Sequence, residues 1–146
     1  MMNIQTAYMG EMTIDPTMIL NFEHGIPGFE GEKQFIQLPL GENGAFQILQ
    51  SVKTKDLAFI ITSPYIIKEN YDFEIDEATV HALDIRSEEE VAVFVIVTLK
   101  DTLAESTANL RAPLVVNTRN KKAKQVILND EAYAIRHKLD LQSEKG

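Results

Sequence analysis

The side chains of this chain that could do chemistry are few and scattered. There are three histidines, His24, His81 and His137, and no cysteine. His81 and Asp84 stand three apart in a stretch with helical character, where two ligands of one metal ion could share a face. A metal centre needs further donors converging there, and the spacing supplies none. Ser51, Ser63, Ser87 and Ser106 lie outside any Gly-x-Ser-x-Gly context, so no nucleophile elbow is written here. No Gly-x-Gly-x-x-Gly and no Gly-x-x-x-x-Gly-Lys-Ser/Thr is present to cradle phosphate. Glu23 and Glu30 could share a proton across a turn, but general acid–base work also requires burial and a substrate cleft. These residues predict a protein that is not an enzyme and takes no cofactor, metal or small-molecule substrate.

What remains is chemistry of recognition. His24-Gly-Ile-Pro-Gly-Phe-Glu30 is a turn bracketed by Gly and Pro. Pro27 fixes its own φ and restricts Ile26, while Gly28 tolerates positive φ, as a type II turn demands. Such a turn holds Phe29 in a defined direction, either outward as a recognition residue or folded back with Ile26 to close the barrel end. Ser106-Thr-Ala-Asn109 is a second polar loop, in which Asn109 either meets a partner or bonds neighbouring backbone.

Charge adds a third feature. The net charge is −8, but residues 1–110 carry 18 acidic and 6 basic residues, and residues 111–146 carry 4 acidic and 8 basic. The densest acidic stretch runs from Glu69 to Glu90, with Arg86 as its one cation. This stretch disfavours phosphate backbones and attracts a basic partner, or else serves only solubility. The expected partner contacts are Glu23, Ile26, Pro27, Phe29 and Glu30 in the turn, Glu69, Asp72, Glu74, Glu88 and Glu89 in the acidic stretch, and Asn109.

The elements that must position these residues are mostly strands. Ile4, Thr6 and Tyr8, then Met18, Leu20 and Phe22, then Phe46 and Ile48 alternate with their neighbours as half-buried strands do. Residues 57–61 and 91–97 are continuous apolar runs, suited to strands covered on both faces. Gly41-Glu-Asn-Gly44 and Asn117–Lys122 read as turns between strands. Asp76 is placed to N-cap a short helix over Ala78–Leu83, with Val80 and Leu83 closing one barrel end. Tyr133, Ile135, His137, Leu139 and Leu141 favour an extended segment, and residues 142–146 a frayed tail. The fold class predicted is mostly β: one antiparallel barrel-like domain over 1–146, with one or two short helices.

No run approaches the roughly 20 apolar residues that span a bilayer, and Met-Met-Asn-Ile-Gln has neither the basic leader nor the apolar core of a signal peptide. A cytoplasmic location without membrane contact is expected.

The turn at 24–30, Phe46-Gln-Ile-Leu-Gln-Ser51, the segment Ser106-Thr-Ala-Asn-Leu-Arg-Ala-Pro-Leu-Val-Val-Asn117 and Gln125-Val-Ile-Leu128, in this order, resemble the FliW family of bacterial flagellar assembly factors. The resemblance runs from about Ile4 to Leu139. It implies a cytosolic protein that binds two partners exclusively. One is flagellin, held by its terminal helical region before export. The other is CsrA, a small dimeric RNA-binding repressor of flagellin translation. It further implies docking on CsrA away from the RNA site, where an acidic surface disfavours RNA. A contrasting reading, a small-ligand-binding barrel, requires an open apolar lumen.

Overall fold

A computed structural model describes residues 1–41 and 44–139. Strands β1 (Met2–Thr6) and β2 (Gly10–Ile14) pair as a separate hairpin. Then follow β3 (Leu20–Phe22), β4 (Gln34–Leu40), β5 (Phe46–Ser51) and β6 (Ala58–Thr62). A helix, α1 (Glu77–Ala82), precedes the long strand β7 (Val91–Thr98). Short β8 (Thr107–Ala108), β9 (Leu114–Asn117), β10 (Lys122–Gln125) and β11 (His137–Lys138) complete the order.

Seven of these strands close on themselves in the order β7-β6-β5-β4-β3-β10-β9, because β7 also pairs with β9. Closure removes sheet edges, which an open sheet of this composition would expose. The barrel is antiparallel except at one seam. There β10 runs parallel to β3, with Lys122 opposite Asn21 and Ala123 opposite Phe22. The long β7 pairs through Ala92–Val116 and Val93–Val115 at one end and through Val97–Ala108 at the other, so β8 and β11 extend the sheet beyond the closed ring.

The two predicted apolar runs are both barrel strands. Along β7, Ala92, Phe94 and Ile96 face a core of Leu20, Phe22, Phe35, Leu49, Ile61 and Leu114. Val95 and Val97 face the other way, under Ile67, Tyr71, Leu110 and Tyr133. A strand covered on both faces needs no alternation, which is why its sequence shows none. The barrel interior is filled by these side chains, so the open lumen required by the small-ligand reading is absent among the described residues.

Several boundaries depart from the sequence expectations. Tyr8 lies in the β1–β2 turn, and Met18 in a single 3-10 turn before β3; both are exposed. Strand β10 starts at Lys122 and ends at Gln125. Val126 and Leu128 nevertheless donate backbone N–H groups to Pro113 and Arg111 (2.9 and 2.8 Å). The helix is capped as predicted, Asp76 accepting from the Thr79 amide at 2.9 Å. It closes no barrel end, however. Leu83 packs with Val115 and Val126, and Val115 points outward from β9 between the inward Leu114 and Val116. The helix therefore lies against the outer wall. The 131–139 segment is turns followed by the β11 pairing to β8. Leu141, the tail at 142–146, and Glu42 and Asn43 of the Gly41–Gly44 turn lie outside the described residues.

Candidate protein-binding surface

The Gly25–Glu30 turn is built from the chain outward. Gly25 adopts φ +69°, and a Cβ there would lie 2.7 Å from backbone atoms of Phe29 and Glu30, so no side chain fits. Gly28 has φ +90°, and the Phe29 amide donates to the Ile26 carbonyl at 2.7 Å, closing the turn predicted around Pro27. Glu30 folds back and accepts from the Gly28 amide at 3.0 Å. That hydrogen bond holds its carboxyl below the usual range.

Phe29 takes the outward of its two expected positions. It is 42% exposed, yet its ring meets Phe59 edge-on at 5.5 Å. Phe59 in turn contacts Phe35 (6.0 Å), and Phe35 contacts Phe22 (5.5 Å, edge-to-face). A chain of four rings thus runs from the buried core to the surface. The exposed ring is aimed by its neighbours and has little freedom to lose when it is covered. Ile26, expected among the partner contacts, is 2% exposed and belongs to the core. Pro27, between it and the surface, is exposed. The turn buries Ile26 because an apolar residue preceding the Pro-Gly corner faces the barrel while Phe29 leaves it.

The acidic stretch is held just as firmly. The Tyr133 hydroxyl donates to the Asp72 carbonyl (2.7 Å) and accepts from the Asp72 amide (2.9 Å). The Tyr71 hydroxyl donates to the Leu110 carbonyl (2.7 Å), and the two tyrosine rings lie 4.6 Å apart with their planes tilted by 53°. Burial pushes the Tyr71 hydroxyl well above its ordinary value. At the far end of α1, buried Asn117 donates to the carbonyls of Leu83 (2.8 Å) and Asp84 (3.2 Å), and Asn120 donates to Leu83 (3.0 Å). These side chains satisfy carbonyls that the short helix leaves unpaired.

Arg119 then bridges the loops on either side. It bonds Glu90 through Nε (3.0 Å) and Asp84 through Nη2 (3.2 Å), while Arg86 lies 3.5 Å from Asp84. Arg119 and Arg86 hold the Asp84 carboxyl below the usual range. The Arg86 amide and then Arg119 do the same for Glu90. Arg119 comes from the basic part of the chain and was not foreseen here. Its signal was the net positive charge after residue 110, which says nothing of where a single cation lands.

The partner residues expected in this stretch remain free. Glu69, Asp72, Glu74, Glu88 and Glu89 are exposed, and none enters an ion pair among the described residues. Glu23 is exposed as well. Asn109 is half-buried, and its Oδ1 accepts from the Arg111 amide at 3.1 Å, so its side chain closes a turn. His81 is exposed and stands in no group of residues able to hold a metal ion among those described. No helix of the described residues is long and apolar enough to cross a membrane.

Comparison with known proteins agrees over nearly the whole length. The family described as FliW protein matches residues 3–139. The flagellar assembly factor FliW of Bacillus pumilus (strain SAFR-032) is 46% identical over 142 residues, covering 97% of this chain and 99% of that one. The protein of the same description from Bacillus subtilis (strain 168) is 47% identical over 142 residues, with the same coverage. A crystal structure of the flagellar assembly factor FliW superposes with a TM-score of 0.89 at 42% identity, covering 94% of this chain and 96% of that one.

Proposed function

The chain belongs to the FliW family of flagellar assembly factors, and from that premise we propose that it is a cytosolic regulator that holds flagellin before export. Once freed, it binds the translational repressor CsrA away from the RNA site and weakens its grip on RNA, so that flagellin is made again. Membership carries a role in flagellar assembly, a task done through protein partners.

The observation that supports the finer reading is the set of exposed carboxylates Glu69, Asp72, Glu74, Glu88 and Glu89, outside any ion pair among the described residues, on a stretch tied down at Asp72 and Leu83. An RNA-binding protein presents basic edges. A fixed acidic rim attracts such a protein and repels the RNA already on it. Flexible acids would lose part of that gain in ordering. The aimed ring of Phe29, with Pro27 beside it, suits the apolar face of a helical terminal segment, as in flagellin.

Calorimetric titration tests this reading. The chain is titrated with flagellin, with CsrA, and with CsrA in the presence of saturating flagellin. Stoichiometric binding to each alone, with the CsrA signal lost when flagellin is present, is expected. Failure to bind either protein at micromolar concentration rejects the proposal.

A further inference from the structure

A basic concavity of this acidic molecule lies over the parallel β3–β10 seam. It has a volume of about 710 Å³, within the range of ligand sites. Lys33, Lys53, Lys122 and Lys124 line it, with Glu23 the one carboxylate, giving the lining a net +3 in a chain of net −8. Its floor is mostly carbon: half-buried Ala82 at the end of α1, with the edges of Phe22, Leu83 and Ala123, whose side chains otherwise pack in the cores.

The seam explains why the lysines converge. Parallel pairing sets Lys122 beside Asn21, so alternation along β10 sends Lys122 and Lys124 to the outer face while Ala123 fills the wall. Lys33 and Lys53 come from the loops before β4 and after β5. None of the four lysines is within ion-pair distance of a carboxylate among the described residues. Glu32, Asp84 and Asp76 lie within electrostatic reach of Lys53, Lys122 and Lys124 but outside ion-pair distance, so the cleft leaves room for a closer anion among the four cations.

We propose that this cleft docks a short acidic, amphipathic peptide segment of a partner protein, its apolar side chains on the floor and its carboxylates among the lysines. Two features select this occupant over a phosphate or a nucleic acid. The floor is mostly carbon and offers an inorganic anion nothing. The lining has no arginine, the residue whose planar fork suits phosphate best. Length matters too. A short peptide feels mainly the lysines within a Debye length of about 8–10 Å, whereas a long polyanion also meets the acidic remainder. The site is separate in charge from the acidic rim, so its partner is of opposite character to the one proposed for Glu69–Glu89.

The test uses the full chain and a fluorescein-labelled peptide, Leu-Glu-Glu-Leu-Leu-Glu-Glu-Leu, followed by anisotropy. Inorganic phosphate and a single-stranded RNA of about 20 nucleotides serve as competitors. Saturable binding is expected, weakened roughly tenfold between about 50 and 300 mM salt. The double variant Lys122→Glu with Lys124→Glu should lose at least about tenfold more. Because β10 is a barrel strand, Lys33→Glu with Lys53→Glu in the loops gives the same reading without touching the wall. Glu88→Lys with Glu89→Lys should bind as tightly as the unchanged chain or more so. Unaltered peptide affinity in either lysine pair overturns the proposal. So does absence of saturation below about 1 mM, or displacement of the peptide by phosphate or RNA at lower concentration than by unlabelled peptide.

Discussion

The proposed recognition rests at the residue scale on Phe29, whose ring is both exposed and braced. Removing it costs folding only the edge-on contact with Phe59, worth about 0.5–1.5 kcal/mol. Truncating an aromatic anchor at an interface commonly costs about 2 kcal/mol or more. Phe29→Ala should therefore shift the denaturant midpoint slightly while weakening flagellin or CsrA by more than roughly tenfold. A stability loss of about 3–5 kcal/mol would instead mark the ring as core. Glu32 offers a second reading at this scale. It accepts from Ser51 (2.7 Å) and Thr54 (2.8 Å), and these bonds hold its carboxyl below the ordinary value of 4.5. A group whose folded pKa is depressed stabilises above its unfolded value, and that stability is lost as pH falls through the folded one. Urea midpoints should drop on acidification below about pH 4.5, and Glu32→Gln should be less stable at neutral pH with a shallower acid decline. An identical acid profile in the variant would show that these bonds carry no linkage.

Among the elements, β7 and α1 depend on different kinds of burial. Val95 is fully buried between the two cores. Val95→Asp places an unpaired charge there at a cost of several kcal/mol, and loss of cooperative unfolding or insolubility is expected. Asn117 is fully buried too, but its work is polar. Asn117→Ala removes one donor from each of the Leu83 and Asp84 carbonyls, which keep Asn120 and Arg119, and leaves the Arg119 amide without its acceptor, at about 1 kcal/mol. Amide exchange in Val80–Asp84 should then quicken more than in the barrel strands; uniform change would show that the helix does not rest on this side chain. Strands such as β6 and β7 were legible because a doubly covered strand must be apolar at every position, and the cap of α1 because Asp76 is an N-cap residue in sequence as well as in space. The parallel β3–β10 seam was not legible. It joins residues about a hundred apart through two short strands, and nothing local records such a pairing. The same gap left open whether Ile26 folds back or faces a partner, since a turn residue looks alike in both cases until the barrel beneath it is known. It hid the placement of Leu83 too, since an outward Val115 can be recognised only once the register of β9 is fixed.

For the whole molecule, folding redistributes the charge asymmetry of the sequence. Arg119 crosses to Asp84 and Glu90, and four lysines gather over the seam, so the acidic rim is narrower than the stretch from Glu69 to Glu90. What is left of it should still steer a basic partner. Glu88→Lys with Glu89→Lys should slow association with CsrA and flatten its dependence on salt, leaving flagellin binding less affected. On-rates for CsrA that do not change at low salt would make these acids solvated surface.

The central claim is that this acidic β-barrel regulates by binding proteins one at a time. Its most direct measurement follows a fluorescent RNA held by CsrA as the chain is added, first alone and then with flagellin. The chain alone should release the RNA at near-stoichiometric concentration, and flagellin should restore the RNA–CsrA complex. RNA that stays bound at saturating chain, or that is released equally whether or not flagellin is present, would contradict the account.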